Sequence, residues 1–100
     1  MNEYIFFMHN DERDKVQAND DAAWEEYFAM LRASGRFSGG SAIGSGVCVS
    51  KSGQPKSITL HLSGYIRIQA EDLEDAKKLL EGNPVLASGG TVEIRELPRD

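Results

Sequence analysis

Cysteine and histidine are scarce in this 100-residue chain, and so is positive charge. A lone Cys48 makes no internal disulfide and no cysteine-rich zinc site, so the chain reads as cytoplasmic. Lys and Arg number 11 against 16 Asp and Glu, a net charge of −5. Nucleic acid and anionic membranes call for a basic face, so neither is an expected direct partner. No apolar run approaches the ~20 residues that cross a bilayer. Met1-Asn2-Glu3-Tyr4 places no basic segment ahead of its short apolar stretch, unlike a secretion signal. Two histidines, one cysteine and scattered acids show no metal-ligand spacing, and no metal is expected. Gly44-Ser-Gly46 precedes a strand pattern and has neither a third glycine nor a P-loop lysine, which excludes a nucleotide fingerprint.

What is present is ordinary globular composition, 40% hydrophobic and 27% charged, in a length that holds one core and not two. Residues 1–100 read as a single domain with no internal repeat and no linker. Glu3–His9 is a short aromatic and branched run with both faces apolar, which predicts a central strand. Asn10–Asn19 is charged and aperiodic, a solvated loop. Trp24, Tyr27, Phe28 and Leu31 fall at i, i+3, i+4 and i+7, which predicts a helix over about Asp20–Ser34 closed by Gly35. Phe37–Gly46, rich in glycine and serine, supports a weak strand or a flexible loop. Val47-Cys48-Val49 enters a hairpin with its tip at Lys51–Pro55, and Ile58, Leu60 and Leu62 alternate as the returning strand. Ile66, Ile68 and Ala70 alternate with Tyr65, Arg67 and Gln69 in another. A second helix is predicted over about Asp72–Glu81, with Leu73, Ala76, Leu79 and Leu80 inward, ended by Gly82 and Asn83-Pro84. The last strand is Thr91–Leu97, stopped by Pro98.

Strand, helix, strands, helix, strand is a split βαβ plan: an α+β, ferredoxin-like βαββαβ fold with an antiparallel sheet and both helices on one face. The uncovered face is its difficulty. Tyr65, Arg67, Gln69, Glu93 and Arg95 lie there beside one apolar row of the first strand. Two such sheets packed face to face would remove that exposed surface, so a two-fold homodimer is expected.

Glu3-Tyr-Ile-Phe-Phe-Met, Trp24, Gly64-Tyr65-Ile66, Leu73-Glu-Asp-Ala76 and Gly89-Gly90-Thr-Val-Glu93-Ile-Arg95-Glu-Leu-Pro98 together resemble the YCII-related (DGPF) family, across essentially the whole chain. The resemblance implies a ferredoxin-like fold that dimerises into an α/β barrel. Relatives within that superfamily include lactone isomerases, dehalogenases and cofactor-free oxygenases, and some members are associated with transcription initiation. One departure is clear. Where many members carry Asp-Gly-Pro-Phe, this chain has Thr59-Leu60-His61-Leu62-Ser63, so any role of that acidic segment does not transfer. The His-Asp pair proposed as catalytic in some members has no unambiguous counterpart either.

The residues themselves offer two groups of candidates. His9 and Asp11 end the first strand and open the next loop, and a carboxylate two residues from an imidazole orients its tautomer for general-base work. The bland alternative is a surface histidine beside a loop-capping aspartate. His61 joins them as a third proton-handling candidate, or packs with its ring nitrogens satisfied. Arg67 and Arg95, about two strand spacings or ~10 Å apart on the same face, form a clamp for a carboxylate or phosphate. Alternatively Arg95 pairs with Glu93 or with a partner subunit, because buried charge usually arrives paired. Cys48 reads as a buried, inert thiol. Three functions compete: cofactor-free acid–base chemistry on a small polar or anionic metabolite in a dimer pocket, a domain that binds such a ligand without chemistry, and a non-catalytic interaction protein associated with transcription initiation.

Overall fold

Burial alternates along the first strand. In a computed structural model of the chain, which describes residues 1–99, β1 (Asn2–His9) buries Tyr4, Phe6 and Met8 and leaves Ile5, Phe7 and His9 on its other side. The elements that follow are α1 (Lys15–Ala18), α2 (Asp21–Ala33), β2 (Phe37–Ala42), β3 (Leu62–Ala70), α3 (Leu73–Lys78), α4 (Pro84–Ala87) and β4 (Val92–Leu97). All strand pairings are antiparallel, in the order β2-β3-β1-β4. With helices on one face, this is the expected ferredoxin-like α+β arrangement.

Helix α2 begins where Asp20 accepts hydrogen bonds from the amides of Ala22 and Ala23. It closes where Gly35 takes φ +73°, a conformation only glycine adopts cheaply. Its Tyr27 and Leu31 meet Tyr4, Phe6, Met8, Ile66, Ile68 and Ala70 of the sheet, and Ala76, Leu80 and Val85 complete the core. The Tyr27 hydroxyl donates to the Leu79 carbonyl at 2.8 Å, tying α2 to the turn after α3. Burial pushes that phenol up to about 12. At the sheet edge, Gly40 lies flat on β3, where a Cβ would stand 2.6 Å from the Tyr65 carbonyl oxygen.

Five local expectations need correction. The solvated loop Asn10–Asn19 contains a helical turn, α1, because Asp14 caps the Gln17 amide. The second helix ends at Lys78, and Asn83-Pro84 does not merely stop it. Asn83 caps the amides of Val85 and Leu86, and Pro84 opens α4, as proline suits a first helical turn. Leu73 faces outward, since α3 is a single short run and buries only Ala76. The hairpin from Val47 to Leu62 has its bend, with Gly53 at φ +79°, but no strands: residues 43–61 form neither helix nor sheet. Alternation at Ile58 and Leu60 specifies a strand only when another strand pairs with it. Cys48 is accordingly half-buried on this arm, its thiol 3.6 Å from the Ser57 carbonyl, rather than in the core.

Replacing Phe6, which is wholly buried beneath α2, by alanine is expected to cost about 3–5 kcal/mol. Val16→Ala, on exposed α1, should move stability by no more than about 0.5 kcal/mol. Urea unfolding of the two variants measures the difference.

Candidate functional site

Register brings the sequence-separated polar residues together at one end of the open face. Phe7 lies opposite Glu93 across the β1–β4 pair, so Glu93 is a diagonal neighbour of His9 on the same face. His9 Nε2 stands 3.1 Å from Glu93 Oε1, and the other carboxylate oxygen accepts from Arg95 at 3.2 Å. The Arg95 hydrogen bond, and then the one from His9, hold the Glu93 carboxyl below its usual range. An ionised carboxylate only accepts, so the proton of a neutral His9 sits on Nε2 and leaves the Nδ1 lone pair available.

His61 arrives from the far end of the arm. Its ring packs edge-on against His9, 4.9 Å between centroids. Asn10 fixes that placement: its amide nitrogen donates to the His61 carbonyl at 2.9 Å, and its side chain donates to the Leu60 carbonyl at 2.8 Å. Residues from three separate parts of the chain thus form one group.

Asp11 does not join it. Its two carboxylate oxygens accept from the backbone and hydroxyl of Thr91, at 2.9 and 2.7 Å, and these bonds hold its carboxyl below the ordinary range. The expected His9–Asp11 pair is therefore not the contact made; Glu93 stands where Asp11 was expected. Asp11 instead fastens the loop after β1 to the start of β4. Arg67 and Arg95 both register against Ile5, as a clamp on this face requires. Each already holds a carboxylate of this chain, Arg67 with Glu3 at 2.6 Å and Arg95 with Glu93. An incoming anion would compete with those partners. Among the described residues, no group of three or more histidines, cysteines and acids is placed to hold a metal ion.

Pattern reading did not find the cavity on the helix side of the sheet. About 420 Å³ opens there, walled by Trp24 and Phe28, whose rings stack at 5.6 Å. Gly40, Ser41, Ala42, Ser63 and Gly64 line the strands' side of it, with Met8, Val85 and Glu12 also lining it. The Glu12 carboxylate is already engaged by Lys15 at 2.6 Å. None of His9, Asp11, His61, Arg67, Glu93 or Arg95 borders this cavity. Its one sequence signal was the pair of half-buried aromatics at i and i+4 of α2, indistinguishable there from core.

The class these features define is a small ferredoxin-like α+β protein with a half-covered sheet. No family model matches the chain, and no curated protein is similar to it. Among solved structures it is similar to 5-chloro-2-hydroxyhydroquinone dehydrochlorinase (TftG) from Burkholderia phenoliruptrix AC1100, in complex with 2,5-dihydroxybenzoquinone. The TM-score is 0.60 at 14% identity, covering 98% of this chain and 95% of that one. At that identity the likeness is one of fold. Among the described residues, no helix is long and apolar enough to cross a membrane.

Asp11 and Glu93 share a pH signature. Their folded-state pKa values lie below the ordinary 3.8 and 4.5. The stability they contribute is present above those values and lost as pH falls through the lower, folded ones. Asp11→Asn should therefore flatten the decline in stability from about pH 5 downward, measured by urea unfolding across that range.

Proposed function

We propose that this chain is a YCII-related domain, a homodimer of the cytoplasm that binds and transforms a small polar or anionic metabolite. The chemistry is cofactor-free proton transfer at the His9–Glu93–His61 group. The observation that carries the reading is the His9–Glu93 contact. A carboxylate from β4 fixes the tautomer and orientation of an imidazole on β1, the arrangement that general-base catalysis needs.

In this mechanism Glu93 holds Nε2–H, and Nδ1 of His9 accepts a proton from an acidic O–H or C–H of the ligand. His61, edge-on to His9, serves as the second proton-handling ring. Arg95 swings from Glu93 toward the developing or resident negative charge, its side chain 68% exposed and free to move. Arg67 exchanges Glu3 for the ligand's second anionic group. The reaction class is proton abstraction from a carbon next to a carbonyl or from a ring hydroxyl. The 2,5-dihydroxybenzoquinone bound by TftG is a compound of that chemistry, and it makes a sensible first probe.

A specific observation favours a second location for the same function. The helix-side cavity has the volume and the aromatic walls of a small-ligand pocket. A ligand seated there would meet Ser41, Ser63 and Asn19 rather than the histidines.

Thermal unfolding with inorganic phosphate, benzoate and 2,5-dihydroxybenzoquinone separates the two. A ligand that binds only the folded chain raises its Tm, by about 2.7 kcal/mol of stabilisation at a hundredfold excess over Kd. His9→Ala and Arg95→Ala should abolish the shift, and Ala42→Phe at the mouth of the cavity should leave it intact. The reverse pattern moves the site to the cavity. A shift untouched by all three variants defeats both locations.

A further inference from the structure

The arm formed by residues 43–61 is unusual for its chain in three respects. It exposes apolar side chains: Val47 and Val49 are 84% and 88% accessible, and Leu60 and Ile43 are also exposed. It carries Lys51 and Lys56 and no acidic residue, whereas the remaining residues have a net charge of −7. It also projects. The molecule measures 47 × 39 × 18 Å with a radius of gyration of 14.9 Å, against about 13 Å for a compact 100-residue domain.

The accessible surface says the same in area. The chain exposes 6861 Å², and a compact monomer of 11.0 kDa exposes about 5,600 Å². The excess, roughly 1,200 Å², exceeds the ~800 Å² per partner of a standard stable interface. A sheet face that no helix covers, with Ile5, Phe7 and Leu97 along its middle and edge strands, lies on the same molecule.

The arm is rooted beside the candidate site. It leaves β2 after Ala42, which registers against Gly64, and rejoins the sheet at Leu62, opposite His9. His61, its last residue, touches the His9 ring. We infer that the arm belongs over a second copy of this chain. Each protomer lays Val47 and Val49 on the open sheet face of its partner and so roofs the partner's His9–Glu93–Arg95 group, and the site is incomplete in a single copy.

A second copy is the occupant because one molecule carries both halves of the contact. An exposed apolar arm and an uncovered sheet face carrying Ile5, Phe7 and Leu97 are mutually complementary under a two-fold axis, which closes the assembly. Roofing would also exclude water from the imidazole and the guanidinium, strengthening the electrostatics the proposed chemistry uses. This inference rests on the homodimer and site of the proposed function, and it specifies which segment makes them.

The test is the double variant Val47→Asp/Val49→Asp. Both side chains stand in solvent within one copy, so the protomer's fold is spared, and far-UV circular dichroism verifies this. Dimerisation is followed by light scattering over a concentration series, and by the rate at which a thiol reagent labels Cys48, the only thiol in the chain. Expected are a wild-type dimer whose Cys48 labels more slowly as concentration rises, and a variant weakened by about 100-fold or more with constant labelling. The variant should also lose the Tm shift given by phosphate or benzoate, although neither substituted residue touches the histidine group.

A dimer that survives the double variant overturns the arm exchange and leaves the dimer standing on some other surface. A variant that is monomeric yet keeps the ligand shift overturns the roofing. A wild type that never dimerises overturns the inference and the dimer together. A wild-type dimer that the variant breaks, with no ligand shift in either protein, leaves the arm exchange upheld and removes the proposed function alone.

Discussion

A four-stranded sheet has two faces, and this chain has helices enough for one. That constraint organises the molecule. On the covered side, Tyr4, Phe6, Met8, Ile66 and Ile68 meet Tyr27 and Leu31 in a close-packed layer, and hydrophobic burial supplies the driving force. On the other side the same strands present groups that tolerate water. The outcome is a mixed row: Ile5, Phe7 and Leu97 among Glu3–Arg67 and Glu93–Arg95 pairs.

Ion pairs suit that position. Each arginine on the open face is matched to a carboxylate on the same face, so the row carries charge without a net field. Exposed pairs of this kind add little to stability, because water and salt screen them. Their value lies in placement. Glu93, bridging Arg95 and His9, turns a surface histidine into an oriented one. The open face therefore also holds the groups best suited to proton transfer, His9 and Glu93.

The segments with fewest internal partners are those closest to the candidate site. The arm between β2 and β3 has almost no ladder of its own, and the loop after β1 is held by a few hydrogen bonds: Asn10 reaches Leu60 by its side chain and His61 by its backbone amide, Asp11 reaches Thr91, and the Arg13 and Asp14 amides donate to the Ser88 carbonyl. Loops held by a few polar contacts on a rigid sheet are where binding residues are usually displayed. Asn10 and Asp11 do the same kind of work at two neighbouring joints, pinning the strand ends that bracket the histidines.

Composition and strand patterning in this chain were enough to specify a ferredoxin-like sheet, because β3 and β4 segregate apolar from polar residues on a scale of two and β1, apolar on both faces, reads as a central strand. The α2 stripe and its Asp20 and Gly35 boundaries were equally legible, since helix capping and a positive φ are local matters. Residues 43–61 were not, because the same alternation in Val47–Leu62 has meaning only when a neighbouring strand is there to pair. The site followed that division. His9, His61, Arg67, Glu93 and Arg95 are recognisable as chemically capable from residue type alone. Which carboxylate holds His9 was decided by strand register, which set Glu93, 84 residues away, beside the ring and gave the nearby Asp11 to Thr91. Distance along a chain does not measure distance across a sheet, and only the folded arrangement converts one into the other.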